Sequence, residues 1–237
     1  GQRALEGGFE RIKQHRSLVR VLSEPLNNSG GTFPWDIEVK AKSPVHVFIL
    51  DTGVRATHEC FQNPASGSSI LKTIWKVNPQ DDGYDRVGHG THIANTICKV
   101  GSEKIELHSF KVLGDDGRAS KSDIIAGINA VLAVKKKPGV ANMSLVGPCS
   151  KTLDRCVECL IQSGIVVVCA AGNSARDARS VSPAHLEEAF TVAASTQTDY
   201  PAIFSNFGPA IDIFAPGDYI YAASCNADSH YRPNSGT

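Results

Sequence analysis

The chain has 237 residues, of which 41% are hydrophobic and 20% are charged, so it is long enough for a buried core and ordinary for a soluble globular protein. Its 24 Lys and Arg residues balance its 24 Asp and Glu residues, and this balance favours neither nucleic acid nor an acidic membrane as a partner. The longest strongly apolar run, residues 165–171, is too short to cross a bilayer, and we expect no membrane span.

The N-terminal segment begins with apolar residues spaced by four and three, which predicts a short amphipathic helix over residues 4–16. Residues 18–22 favour a short strand. Residues 27–32 (NNSGGT) are polar and glycine-rich, as in a loop or linker.

From residue 45 onward, dense apolar strands alternate with helical patterns. We predict strands at residues 45–50, 106–113, 140–145, 165–170, 190–194 and 211–214, and helices at residues 89–100, 122–134 and 153–164, with Ser122 as a cap and Gly164 as a stop. This alternation indicates an α/β fold with a mainly parallel sheet that is covered on both faces. In such sheets ligands bind beyond the carboxyl ends of the strands, where Asp51, Ser144 and Asn173 lie.

Asp51 ends a strand predicted to be buried and begins the motif DTG. A carboxylate there is costly unless something pairs with it, so a turn or capping role is the plain interpretation. The same motif is a signature of aspartic proteases, but these need two facing carboxylates in an all-β fold, and DTG occurs only once here. The remaining interpretation is the orienting acid of a Ser-His-Asp triad.

His89 lies between two glycines in the motif GHGTH, at a loop-to-helix junction. His89 and His92 are three residues apart and could share a metal ion, yet no HExxH glutamate and no third ligand accompany them. A purely structural histidine is the other alternative. The flanking glycines leave room for a substrate, which favours a catalytic base oriented by Asp51.

Asn173 follows Gly172 after a strand, where Asn is commonly a turn residue. Beside Asp51 and His89 it becomes a candidate oxyanion donor. Ser235 lies near the end of the chain but fits no nucleophile pattern of its own.

The seven cysteines are an odd number, so at least one thiol is free or pairs outside this chain. Cys156 and Cys159 form a CxxC pair, half of a redox or zinc site, but no second pair completes four ligands. Cys98 and Cys169 lie in apolar runs, and we expect both to be buried as small hydrophobic side chains.

Three ordered motifs carry a family resemblance: residues 51–53 (DTG), 88–94 (GHGTHIA) and 170–173 (AAGN). Over about residues 44–237 the chain resembles the subtilases, and within them the proteinase K branch. The resemblance implies a subtilisin-like three-layer sandwich whose C-terminal part is missing, and a serine endopeptidase. Asp51 matches the family's triad acid, His89 its base and Asn173 its oxyanion donor.

The family's nucleophile is the second serine of a segment like Ser-Gly-Thr-Ser-Met-Ala. Residues 235–237 (SGT) match its first three positions, so the resemblance places the nucleophile directly after Thr237, followed by a helix that packs through the centre of the domain. We therefore expect the 237-residue chain alone to show almost no turnover. The alternative is a catalytically dead relative that keeps the fold as a peptide-binding or regulatory module.

The resemblance also implies a substrate cleft. Ser144, Leu145 and Val146 match the strand that pairs with a peptide substrate, although the family usually has Gly where Val146 stands. The loop near Gly117 matches the opposite wall, and Ala171 and Gly172 complete the predicted substrate-binding set.

A structural calcium ion is implied by the same resemblance, and no organic cofactor. A calcium site of the proteinase K type would use the carboxylate of Asp212 and backbone oxygens near Glu187 and Ala189. The family usually has proline where Glu187 stands.

Residues 1–30 resemble the tail of an inhibitory propeptide, and the plain alternative is an N-terminal extension of the mature enzyme. Residues 31–237 would then form the incomplete catalytic domain. The expected partners are protein or peptide substrates, the propeptide, and a C-terminal fragment that carries the serine. The expected location is outside the cell or in the secretory or vacuolar pathway.

Overall fold

The computed structural model describes residues 43–63, 67–101 and 104–237, and the helix and strand predicted within residues 4–22 lie outside these ranges. The described residues form these elements, with 3-10 turns at Glu59–Phe61 and Ala178–Ser180: β1 (Val45–Asp51), β2 (Leu71–Lys76), α1 (His89–Val100), β3 (Ile105–Lys111), α2 (Lys121–Val134), β4 (Gly139–Met143), β5 (Gly147–Pro148), α3 (Lys151–Gln162), β6 (Ile165–Ala170), β7 (Val181–Ser182), β8 (Phe190–Ser195), β9 (Ile213–Pro216), β10 (Ile220–Ala223) and β11 (Tyr231–Asn234).

Seven strands form the central sheet in the order β2-β3-β1-β4-β6-β8-β9. Each neighbouring pair in this sheet is parallel, so the predicted α/β fold with a mainly parallel sheet is confirmed. Two small antiparallel pairs, β5 with β7 and β10 with β11, lie outside it. Because the strands are parallel, the carboxyl ends of β1, β4 and β6 meet at one edge of the sheet.

The two faces of the sheet hold separate cores, because alternate residues of a strand point to opposite faces. Val47 and Ile49 of β1 pack in the cluster that includes α1. Phe48 and Leu50 pack in the larger cluster that includes α2 and α3. Asp51 follows Ile49 with the same parity and therefore lies on the α1 face.

One central strand is covered on one face only by the described residues. β6 lies between β4 and β8, and Val166, on its α1 face, is 56% exposed. Central strands of parallel sheets are ordinarily buried on both faces. The described part of the chain therefore leaves apolar surface open beside α1.

Several predicted boundaries are wrong by a few residues. Ser120, not Ser122, caps α2, in a capping box where it exchanges hydrogen bonds with Asp123. β3 ends before the predicted residue 113, because the amides of Val112 and Leu113 both turn to the Asp51 carbonyl, at 3.0 and 3.1 Å. The sequence analysis missed β2, β10 and β11, and also the two-residue strands β5 and β7.

The cysteine predictions are confirmed in part. Cys169 is buried, whereas Cys98 is only half-buried, because α1 buries its first two turns more than its last. All seven cysteines lie in the described residues and carry free thiols. Among the described helices, none is long and apolar enough to cross a bilayer.

Candidate active site

Asp51 and His89 are hydrogen-bonded at the carboxyl edge of the sheet. Asp51 is the last residue of β1, His89 is the first residue of α1, and His89 Nδ1 lies 2.8 Å from Oδ1 and 3.0 Å from Oδ2 of Asp51. Asp51 is buried, while the His89 side chain is 35% exposed. A carboxylate can only accept, so Nδ1 carries a proton, and the neutral ring keeps a lone pair at Nε2.

Two glycines allow the helix to start this close to the strand. Gly88 caps α1 with a φ of 92°, a left-handed conformation that favours glycine. A Cβ at Gly90 would lie 2.1 Å from the Gly53 carbonyl oxygen and 3.2 Å from Asp51 Cβ. The two glycines of the GHG motif therefore let the backbone of α1 approach Asp51, in addition to leaving room for a substrate at His89.

The charge of Asp51 sets the protonation of His89. Burial of the ring lowers its pKa, but the hydrogen bond and charge of Asp51, together with the charge of Asp85, outweigh burial. The net result is that the pKa of His89 is raised above its ordinary value.

Asp85 was missed by the sequence analysis. It is fully buried, and its carboxylate accepts hydrogen bonds from the Thr52 hydroxyl, the amides of Val87 and Gly88, and both the amide and the hydroxyl of Thr91. The Asp85 carboxylate thus caps the N-terminus of α1, which Gly88 cannot do because it has no side chain. The available signal was an acidic residue just before a helix N-terminus, where the helix dipole favours negative charge.

Asn173 follows β6 and is exposed. Its side-chain oxygen accepts a 3.0 Å hydrogen bond from the Thr237 amide, and the Thr237 hydroxyl accepts one of 3.0 Å from the Gly172 amide. Asn206 supports the turn by donating to the Ala171 carbonyl at 2.7 Å. Residues 236–237 therefore lie directly against the turn that carries Asn173.

A cavity of about 220 Å³ joins these parts. His89 and Thr237 both line it, together with Ser144 after β4 and Ala170 at the end of β6. The imidazole and the Thr237 end of the chain, which touches Asn173, thus face one space.

The other predicted substrate residues are not among the described residues that line this cavity: Leu145, Val146, Gly117, Ala171 and Gly172. Val146 is 38% exposed, and its Cγ2 would lie 3.3 Å from a Cβ at Gly172. Gly117 stands in a tight turn with a φ of 73°, and a Cβ there would lie 3.8 Å from Val87, two residues before His89. Leu145 is half-buried and lies between Ser144 and Val146 in a segment without regular strand pairing.

The metal interpretations of the His89–His92 pair and of the CxxC pair find no support in the described ranges. His92 is buried and donates from Nε2 to the Ile220 carbonyl at 2.8 Å, whereas His89 is directed to Asp51. Neither His92 nor the Cys156 and Cys159 pair belongs to a described group of three metal-ligating side chains.

The predicted calcium residues fit a hard cation in their chemistry. Asp212 accepts a 2.7 Å hydrogen bond from the Thr191 amide, and partial burial of its carboxylate raises the pKa of Asp212, although the residue as a whole is exposed. Ala189 is buried and Glu187 is exposed. A carboxylate with backbone oxygens is the ligand set that calcium prefers.

Comparison with known proteins gives a consistent family. A family model described as the subtilase family matches residues 42–237. An extracellular serine proteinase from a Thermus species is 41% identical over 196 residues, which cover 81% of this chain and 47% of that protein. Subtilisin-like protease 1 of Arthroderma gypseum is 40% identical over 218 residues, which cover 87% of this chain and 42% of that protein.

A solved structure points to the same family. The crystal structure of a cold-adapted subtilisin-like serine proteinase matches with a TM-score of 0.74 and 36% identity, covering 82% of this chain and 70% of that one. The chain spans about half the length of the curated relatives it matches.

Proposed function

The chain belongs to the subtilase family, and from this premise we propose that the full-length protein is a serine endopeptidase that hydrolyses peptide bonds with a Ser-His-Asp triad. The observation that carries the proposal is the 2.8 Å hydrogen bond between His89 Nδ1 and Asp51 Oδ1, beside a cavity that His89 shares with Thr237. We place the nucleophilic serine directly after Thr237, because residues 235–237 match the family's Ser-Gly-Thr.

In this proposal His89 is the general base. Its lone pair at Nε2 takes the serine proton while the serine oxygen attacks the peptide carbonyl carbon. The buried carboxylate of Asp51 stabilises the imidazolium that forms, and His89 then gives the proton to the departing amine. A water molecule, deprotonated in the same way, releases the acyl group and restores the serine.

Asn173 supplies the oxyanion donor. Its Oδ1 accepts from the Thr237 amide, which fixes the orientation of the side-chain amide and leaves Nδ2 as the donor. A donor held in place before the reaction stabilises the tetrahedral intermediate without having to reorganise.

A peptide substrate would lie extended between Ser144–Val146 and the turn at Gly117. The backbone of residues 144–146 has no regular strand partner, so it can pair with a substrate by β-augmentation. Val146 lies against the Gly172 turn, and its branched side chain would narrow a specificity pocket there.

We also propose a structural calcium ion held by Asp212 with the carbonyl oxygens of Glu187 and Ala189. A bound cation would offset the burial that raises the pKa of Asp212. Calcium should then raise the melting temperature of the full-length protein, and Asp212→Asn should abolish the effect while the exposed-site control Asp116→Asn keeps it.

We propose that the protein is secreted, since a 41% identical relative is named an extracellular serine proteinase, and that residues 1–30 are the tail of an inhibitory propeptide. The mature active enzyme should then begin within or near residues 27–32. N-terminal sequencing of the active form tests this, and an active form that retains residue 1 would contradict it.

The central test is hydrolysis of casein and of a fluorogenic peptide by the full-length protein. We expect turnover, labelling by a fluorophosphonate at the serine directly after Thr237, and loss of turnover in His89→Ala. His230→Gln is the matched control, because His230 is exposed and uses only backbone atoms in its described hydrogen bonds.

Two results would overturn the proposal. Efficient proteolysis by residues 1–237 alone would show that the nucleophile is not the residue after Thr237. A full-length protein with another residue after Thr237, which binds peptides without cleaving them, would be a non-catalytic peptide-binding module.

A further inference from the structure

Two histidines and a glutamate converge at the end of the sheet opposite the candidate active site. His46 is the second residue of β1, and Glu106 and His108 lie on the neighbouring β3, where Glu106 is the register partner of His46. Their ligand atoms all lie within 4.8 Å of one another. Asp51 is five residues further along β1, roughly 16 Å away at the rise of an extended strand.

Two of the three distances between these atoms are close to those of ligands that share an ion. His46 Nδ1 lies 3.1 Å from His108 Nε2 and 3.2 Å from Glu106 Oε2. Tetrahedral zinc with bonds of about 2.0–2.1 Å places neighbouring ligand atoms about 3.3 Å apart. Small movements of the side chains would therefore be enough to bind an ion.

Hydrogen bonds within this cluster leave its donors and acceptors poorly matched. When His108 carries its proton on Nδ1, a proton on His46 Nδ1 faces two acceptors, His108 Nε2 and Glu106 Oε2, and without that proton three lone pairs face one another. One divalent cation would accept all three lone pairs at once.

His108 is already oriented as a ligand. It is fully buried, its ring stacks on Phe48 with centroids 5.1 Å apart, and its Nδ1 lies 2.9 Å from the Thr73 hydroxyl. When Nδ1–H donates to Thr73, Nε2 is left as the lone pair directed at His46. Metal-ligating histidines characteristically donate their other ring nitrogen in this way.

The site is reachable from solvent, and within the described ranges a lysine competes for its glutamate. The side chains of His46 and Glu106 are 13% and 26% exposed, which leaves room for a water molecule as fourth ligand. Lys136 Nζ lies 3.6 Å from Glu106 Oε2, but its side chain is 43% exposed and can turn to water.

We propose that His46, Glu106 and His108 form a zinc site that ties the start of β1 to β3. Two imidazole nitrogens and one carboxylate oxygen favour zinc or a similar transition metal over calcium or magnesium, which prefer oxygen ligands alone. The inference is independent of the proposed peptidase activity, because this site lies at the other end of β1.

The test uses the full-length protein carrying His89→Ala, which prevents self-digestion and removes the histidine at the other site. After chelator treatment, zinc binding is measured by calorimetry, and cobalt binding by its visible spectrum. We expect one tight ion per chain and a melting temperature about 5–10 °C higher at zinc 100-fold above Kd.

Variants locate the ion. His46→Gln and Glu106→Gln, both at partly exposed side chains, should each weaken zinc binding about 100-fold or more, whereas His230→Gln should leave it unchanged. Lys136→Gln should tighten binding about two- to fivefold by removing the competing cation.

Three outcomes would overturn the proposal. They are no stoichiometric ion in the His89→Ala protein, an unchanged zinc affinity in folded His46→Gln and Glu106→Gln variants of it, or a cobalt spectrum with thiolate charge-transfer bands. The last would assign the ion to cysteines. Circular dichroism of each variant, with Glu106→Gln as the mildest change, separates a lost site from a lost fold.

Discussion

The Thr52 hydroxyl donates a 2.9 Å hydrogen bond to Asp85 and accepts one of 2.9 Å from the Gly90 amide. Thr52 follows Asp51 and Gly90 follows His89, so this one hydroxyl couples the end of β1 to the start of α1. The Asp51–His89 pair therefore depends on a second, fully buried carboxylate that takes no direct part in the proposed chemistry.

Asp85→Asn should destabilise the full-length protein and slow its hydrolysis of peptides. All five groups that hydrogen-bond to this carboxylate are donors, so the NH₂ group of Asn must face at least one of them. We expect the free energy of unfolding to fall by about 2–4 kcal/mol and kcat by about tenfold or more. Denaturant unfolding and peptide kinetics measure both, with exposed Glu188→Gln as control; unchanged values would refute the role given to Asp85.

Gly90→Ala should be more damaging than its single methyl group suggests. The new Cβ would lie 2.1 Å from the Gly53 carbonyl oxygen, so α1 has to move away from β1 and carry His89 with it. We expect about a 100-fold lower kcat and a lower melting temperature. Gly147→Ala is the stability control, because no atom lies within 4 Å of a Cβ there. Equal melting temperatures for the two variants would contradict this account.

The sequence predicted the fold well where hydrophobic pattern decides it. The apolar runs of β1, β4 and β6 identified the central strands, and parallel order then brought Asp51 and Asn173 to one edge. Motif spacing identified His89, but no local pattern could show that its Nδ1 meets Asp51, because that contact spans 38 residues.

The missed features depend on contacts distant in the chain. Asp85 has no motif of its own, and its importance comes from donors on Thr52 and Thr91. The cluster of His46 and His108 is likewise invisible in the sequence, since 62 residues separate them and only the β1–β3 register brings them together.

The pH dependence of kcat/KM should report the environment of His89. The proposed base must be neutral, so activity should fall as pH drops through the His89 pKa, which Asp51 raises above the ordinary value of about 6.5. In Asp51→Asn the acid limb should move to lower pH, because the stabilising charge is gone, and kcat should fall about 10³–10⁴-fold. An acid limb at the same pH in both proteins would contradict the assignment.

Asn173→Ala separates stabilisation of the transition state from substrate binding. Its Nδ2 is the proposed donor to an oxygen that becomes charged only during the reaction, so we expect kcat to fall about 10²–10³-fold with little change in KM. Ser174→Ala is the neighbouring control, because Ser174 is exposed and its described hydrogen bond uses the backbone amide.

The Asn173 side chain also accepts a 3.0 Å hydrogen bond from the Thr237 amide, so the variant could displace the serine proposed to follow Thr237. The fluorophosphonate labelling rate resolves this, since its phosphoryl oxygen also uses the oxyanion donor whereas a displaced serine abolishes labelling altogether. Slow but complete labelling with a large loss of kcat supports the donor role, and a rise in KM at constant kcat would contradict it.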